Sequence, residues 1–396
     1  MSHTAACFDI AKTMTKLCLC IIGIYWADGH QAGLDGAVSR FIQKDERAAD
    51  LSEVRSDEHL DWQALENWLK THLAENSGLN LDANMVVSQF HGGHANLTYC
   101  VRFGELELVV RRPPKGHIAP GAHDMNREYR VLNGLAPAYK PAPRVYAFCD
   151  DTRVIGAPFI VVERRQGVIV RAEIPGSMQV HKNVAERISY ALIDAMRDLH
   201  ALNPEAIGLG RLGKPEGFVD RQLKGWHERW HLSRQSPLPL FDEVHQKLVK
   251  HQPASGKHCI VHNDLKLDNC MFDPADPDRV DSVFDWDMAT LGDPLAELGT
   301  LLGYWREEGD GFNRAPTIEL DMSAFPSRKM LVERYAQSGL DLAYIDWYEA
   351  FALWKHAVVL QQLLARLESG ESKDERFRAF VDTIPGIVEG AGQILG

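Results

Sequence analysis

Two stretches restrict what this chain can fold into more than any others: CIVHNDLKLDNCMF, Cys259 to Phe272, and SVFDWD, Ser282 to Asp287. Each is an apolar run that ends in acidic residues, and a proline-bearing acidic turn, Asp273 to Asp278, joins them. Cys259-Ile260-Val261, Cys270-Met271-Phe272 and Val280 to Phe284 read as three strand ends. The turn lacks the central glycine and closing glutamate of a calcium loop, so it reads as a hairpin. Loops at strand ends are where a rigid scaffold presents reactive groups. Asp264, Asn269 and Asp285 are therefore expected at one rim. A carboxylate to take a proton, with an amide and a carboxylate to hold a cation, is the equipment of phosphoryl transfer.

The rest of the chain is compatible with that chemistry. Its 396 residues are 45% hydrophobic and 25% charged, as in a globular protein of two or three domains or one two-lobed unit. A net charge of -12 argues against a nucleic-acid partner, which needs a basic face. The 7 cysteines are scattered without a C-x-x-C pair, which suits reduced thiols in a cytoplasmic protein. Residues 1–55 read as a poorly ordered extension. Leu17 to Trp26 imitates the apolar middle of a signal peptide. It lacks a clean cleavage site and falls short of the ~20 apolar residues of a spanning helix, so there is no firm case for a membrane.

From Ser56 the periodicity turns regular. Ser56 and Asp57 offer caps for a helix whose apolar face is Trp62, Leu65, Trp68, Leu69 and Leu73, stopping near Gly78. Val86 to Phe90, Leu97 to Phe103, Glu105 to Arg112 and Phe159 to Glu163 read as strands. The turn between the first two carries Gly92 and Gly93, which serve either as a simple hairpin turn or as a backbone that approaches phosphate closely. Asp124 to Leu135 is a helix bearing Glu128, with Arg127 and Arg130 as local partners. After Gly167 the pattern is mainly helical, including Val184 to Leu199, a stretch around Phe218 to Trp230, Asp293 to Trp305, Arg328 to Gln337 and Ile345 to Leu367.

His262-Asn263-Asp264-Leu265-Lys266-Leu267-Asp268-Asn269 resembles the H-x-D-x-x-x-x-N catalytic loop of kinases. Asp285-Trp286-Asp287 followed by Gly292-Asp293-Pro294 is similar to the aminoglycoside phosphotransferase family, a broad group that includes choline-kinase-like enzymes. Val110 to Pro114 and Leu291 to Glu297 most resemble its kinase-like domains associated with acyl-CoA dehydrogenases. The resemblance covers roughly Asp57 to Gly396. It implies an α+β, two-lobed, protein-kinase-like fold: a small antiparallel-sheet N-lobe over residues 56–166 and a larger, mainly helical C-lobe over 167–396. It implies ATP and Mg²⁺ as cofactors and a small-molecule hydroxyl compound as acceptor.

The same resemblance assigns roles to residues. Asp264 is the base; Asn269 and Asp285 hold the metal; Gly92, Gly93 and Arg111 hold the phosphates; Glu128 holds Arg111. Lys266 has the spacing of the protein-kinase lysine that contacts the γ-phosphate, against the alternative of a solvated loop lysine. Kinases place lysine where this chain has Arg111, whose guanidinium stays charged and grips phosphate with two bonds. Asn263 stands where protein kinases put the HRD arginine, and Asp285 to Asp293 leaves no room for a peptide-docking activation loop. A small acceptor is therefore expected: a hydroxylated acyl-CoA or similar metabolite first, an aminoglycoside or choline-like alcohol as the alternative. A catalytically weak pseudokinase is the second alternative, with Arg111 in its favour.

Overall fold

The computed structural model describes residues 50–90, 96–115, 123–254 and 256–396, without the side chains of 74–77. They divide into two compact units, one ending at Arg165 and one beginning at Gln166.

In the first unit a sheet of order β1-β2-β3-β4-β6-β5 is antiparallel throughout. Its strands are β1 (Leu51–Ser52), β2 (Met85–Phe90), β3 (Leu97–Phe103), β4 (Leu106–Arg112), β5 (Val145–Cys149) and β6 (Phe159–Glu163). Helix α1 (Trp62–Ser77) buries Trp62, Leu65, Leu69 and Leu73 with Val87, Tyr99, Leu108, Val110 and Phe159 of the sheet. That match follows from two periods: 3.6 along the helix and 2 along the strands. The helix starts later than its expected caps, because the Asp61 carboxylate accepts the Ala64 N–H at 2.9 Å, while Gly78 closes it in the left-handed region. One other expectation is corrected here. Leu51 and Ser52 already pair with Phe90 and Gln89, inside the stretch expected to be a loose extension. Val145–Cys149 is a strand that the sequence reading did not pick out. Residues 1–49 lie outside the described residues. Helix α2 (Met125–Leu135) is capped by Asp124 and turns Glu128 inward; the four-residue α3 (Thr152–Ile155) precedes β6.

The second unit is mainly helical. It contains α4 (Val184–Ala201), α5 (Phe218–Ser233), α6 (Pro239–Lys250), α7 (Pro294–Tyr304), α8 (Arg328–Tyr335), α9 (Ile345–Glu368) and α10 (Phe380–Ile394). Helix α9 is the axis of this unit, buried along most of its length and packed against α5, α6, α7 and α10. Gly299 permits the close crossing of α7 and α9: a Cβ there would lie 2.6 Å from the Tyr348 backbone. Two small antiparallel ladders sit in the helical frame. One runs β10-β9-β7, using β7 (Val168–Ile169), β9 (Cys270–Asp273) and β10 (Asp276–Val283); the other joins β8 (Cys259–Val261) to β11 (Thr290–Gly292). Among the described residues no helix is long and apolar enough to cross a membrane.

Candidate active site

The two sequence stretches that define the site are bonded to each other. β8 runs into His262, whose imidazole is wholly buried and packs edge-on against Trp286 with centroids 4.7 Å apart. His262 Nε2 donates to the Phe284 carbonyl at 2.7 Å, and Nδ1 accepts the Asp264 N–H at 3.3 Å. Those two bonds require the neutral Nε2–H tautomer, and burial lowers the pKa of His262 accordingly. The Phe284 N–H returns a bond to the Asn269 carbonyl at 2.9 Å. His262 therefore ties the 262–269 loop to the 282–287 loop.

Asp264 and Asn269 meet directly. Asn269 Nδ2 donates to the Asp264 carbonyl at 2.8 Å and to its Oδ2 at 2.9 Å. Asp264 is 2% exposed, and its Oδ1 is buried with no hydrogen-bond partner among the described residues. Burial pushes the carboxyl well above its ordinary range; Lys266 opposes that, and the charges of Asp268 and Asp285 add to it. Asp285 sits in the left-handed region at φ 68 and opens the short 3₁₀ turn Trp286–Met288.

Lys266 is buried rather than solvated. Its Nζ lies 3.3 Å from Asp264 Oδ2 and 3.5 Å from Asp268 Oδ2, and 5.6 Å from the centroid of the Tyr304 ring. Burial alone would lower this lysine's pKa, but Asp264 and Asp268 outweigh it and hold the ammonium charged.

A tether that sequence reasoning missed supports the loop. Glu297 of α7 accepts the Asn263 N–H on Oε1; on Oε2 it accepts the His262 N–H at 3.2 Å and meets His200 Nε2 at 2.7 Å. The other nitrogen of His200 meets the Tyr335 hydroxyl at 2.7 Å. All of these side chains are buried. Burial would raise the Glu297 pKa, but its bonds to His200 and to the His262 amide lower it, so a carboxylate holds the loop. Asn263, in the left-handed region at φ 70, also donates its side chain to the Met288 carbonyl at 2.9 Å. Asp293 caps α7 through the Leu295 N–H at 2.9 Å and accepts the Tyr348 hydroxyl at 2.6 Å. Its contribution is to start the helix that carries Glu297. The one sequence signal was that Glu297 falls four residues after the Gly-Asp-Pro cap, one helical turn in.

In the first unit the structure pairs Arg111 with Glu128: Nη1 lies 3.1 Å from Oε1, with both side chains largely buried. With the Asn96 carboxamide turned oxygen-first, it accepts from Arg111 Nη2 at 2.9 Å and Nε at 3.3 Å, and its nitrogen faces His123 Nδ1 at 2.9 Å. Arg111 is thus gripped by Glu128 and by Asn96, a residue the sequence did not single out. The neighbouring Arg112 turns to the core side and donates to the Ile155 carbonyl at 2.6 Å. Gly92 and Gly93 lie outside the described residues.

Comparison with known proteins gives the family and the fold. A sequence model described as "Phosphotransferase enzyme family" matches residues 86–351. Acyl-CoA dehydrogenase family member 11 of Pongo abelii is 28% identical over 348 residues, 86% of this chain and 44% of that protein. The chain spans less than half the length of the curated relatives it matches. A provisionally assigned aminoglycoside phosphotransferase from Ralstonia eutropha superposes with a TM-score of 0.71 at 28% identity, covering 85% of this chain and 98% of that one. A thermostable mutant aminoglycoside phosphotransferase in complex with AMP-PNP and hygromycin B shares the fold alone, with a TM-score of 0.52 at 15% identity over 84% of this chain and 98% of that one. The motif loops, the helical frame around them and the extent of the match agree: this chain belongs to the phosphotransferase enzyme family and has its kinase-like fold.

Proposed function

We propose that the chain transfers the γ-phosphoryl group of ATP to the hydroxyl of a small metabolite, with a hydroxylated acyl-CoA as the first acceptor class. The observation that carries this reading is the state of Asp264. One carboxylate oxygen is held by Asn269, and the other is buried without a hydrogen-bond partner among the described residues. A desolvated, oriented carboxyl with an open oxygen suits a general base that meets its partner only when substrate arrives. The acceptor oxygen forms a bond to the γ-phosphorus, the bond from that phosphorus to the bridging oxygen of ADP breaks, and the hydroxyl proton passes to Asp264.

Asn269 commits its Nδ2 twice to Asp264, which leaves its carboxamide oxygen as the donor for a cation. With the Asp285 carboxylate this is a hard oxygen pair of the kind that binds Mg²⁺ together with substrate phosphates. When bound, the ion neutralises charge on the phosphate oxygens. Arg111, held by Glu128 and Asn96, supplies fixed positive charge for the phosphates. Lys266, kept charged beside Asp264, lowers the energy of the anionic phosphoryl group as it approaches.

The acceptor class rests on the relatives' name: acyl-CoA dehydrogenase family members match this chain over 86% of its length. The purified chain should be incubated with ATP, Mg²⁺ and, in separate arms, hydroxylated acyl-CoAs, aminoglycosides and choline. Phosphorylated hydroxyacyl-CoA with equimolar ADP is the expected product. Product only in another arm overturns the acceptor class. Nucleotide binding with no phosphorylated product in any arm overturns the catalytic reading in favour of a pseudokinase.

A further inference from the structure

The hairpin of α5 and α6 brings together a second set of reactive side chains on elements that contribute nothing to the motif loops. His227 and His231 stand four residues apart on α5 and so share a face. Asp242 lies in the first turn of α6, across the turn at 234–238. His227 Nε2 is 2.9 Å from Asp242 Oδ1, and His231 Nε2 is 3.0 Å from the same oxygen. The two Nε2 atoms are 3.2 Å apart.

With Asp242 as a carboxylate, no placement of protons on the two Nε2 atoms makes all three edges of this triangle attractive. If both imidazoles donate to the carboxylate, two N–H groups face each other. If one imidazole donates to both neighbours, the lone pair of the other faces the carboxylate oxygen. A cation at the centre satisfies every edge, because each atom then offers it a lone pair. The dimensions fit as well. A tetrahedral ion with bonds of about 2.0–2.1 Å needs donors about 3.3–3.4 Å apart, a few tenths of an ångström wider than the observed triangle.

The rings are held for that role. His245, three residues after Asp242, stacks on His227 at 4.0 Å with planes 17° apart; Phe241 lies parallel to the same ring at 6.3 Å. Among the described residues no other group of three such side chains brings its donor atoms within 4.8 Å of one another.

We propose that His227 Nε2, His231 Nε2 and Asp242 Oδ1 bind one divalent transition-metal ion of the zinc class. Two imidazoles and one carboxylate suit zinc, nickel or cobalt rather than magnesium or calcium. The three side chains are about one-third exposed, at 30%, 33% and 35%, which lets the ion enter and keeps its fourth position for water. The ion clamps α5 to α6 across the 234–238 turn.

The test uses the full chain without a polyhistidine tag, stripped with chelator and titrated with Zn²⁺ and Co²⁺ by calorimetry. Saturation at one equivalent is expected, together with a higher melting temperature and the intense visible bands of four-coordinate Co²⁺. His231→Gln and Asp242→Asn should each weaken binding by about 100-fold or more. His251→Gln, an exposed histidine on the neighbouring turn, should leave binding unchanged. Absence of a saturating step, equal binding by the site variants, or an equal response to Mg²⁺ overturns the site. Should a variant fail to fold, Zn²⁺ protection of His227 and His231 from diethyl pyrocarbonate in the unaltered chain reads the same contacts. Rings that stay reactive then count against the site.

Discussion

Asp264 carries opposed demands. Its burial disfavours the charge that a base needs, and Asn269 and Lys266 compensate only in part. Asparagine at this position keeps the shape and removes a charge that the fold disfavours, but it also takes the nearer counter-charge from the buried Lys266 ammonium. Asp264→Asn should therefore shift the urea midpoint by the equivalent of less than about 1 kcal/mol, whereas a larger fall would show that the carboxylate stabilises the loop. Arg111 allows a complementary test. Its guanidinium meets Glu128 and Asn96 together, and an ammonium cannot reproduce that fork. Arg111→Lys should raise the KM for ATP by roughly 10-fold with a smaller change in kcat, as expected when one charge-assisted bond of about 1.5 kcal/mol is lost in ground and transition state alike. A KM unchanged within error, measured by steady-state kinetics, would remove Arg111 from phosphate binding.

At the scale of elements, one helix holds one loop. Glu297 on α7 accepts two successive amides, those of His262 and Asn263, and meets His200 from α4. Glutamine there must turn an NH₂ toward a donor. Glu297→Gln should lower stability by about 2–4 kcal/mol in urea titrations and reduce kcat more than the KM for nucleotide. Equal midpoints would mean that the loop holds its shape without the tether. Local sequence carried much of this architecture. Helix α1 and strands β2, β3, β4 and β6 were legible because hydrophobic period and burial coincide along them. The 262–269 and 282–287 loops were legible because the reactive residues fall at fixed spacing around strand ends. The start of α1 at Asp61 was not legible, because Ser56, Asp57 and Asp61 are all competent caps and only tertiary context chooses. The Glu297–His200–Tyr335 chain was not legible either, because its members come from three helices far apart in sequence and buried polar partners leave no periodic trace. The His227–His231 pair had a visible i, i+4 spacing, but Asp242 joins it only through the fold of the α5–α6 hairpin.

For the whole molecule, the helical unit is built around α9 and depends on keeping that helix dry. His356 in its middle is buried, and that burial lowers its pKa to about 3. A group depressed in the native state binds its proton more readily when unfolded, so acid favours unfolding. The stability that neutral His356 contributes is complete above about pH 6.5 and is lost as the pH falls toward 3. The total change across that window is roughly 3–5 kcal/mol. His356→Phe should flatten the stability curve between those limits in urea titrations at stepped pH, and an unchanged slope would assign the acid sensitivity elsewhere. Nucleotide should act in the opposite sense, adding about 2.7 kcal/mol of stability at 100 times its dissociation constant and so raising the melting temperature. The decisive measurement is phosphoryl transfer from ATP to the identified acceptor by the unaltered chain, Asp264→Asn and Asp285→Ala, with product followed by mass. Losses of roughly 100-fold or more in both variants, with folding and nucleotide binding retained for Asp264→Asn, are expected of a base and a metal ligand acting in one step. Near-normal product from either variant would contradict the site.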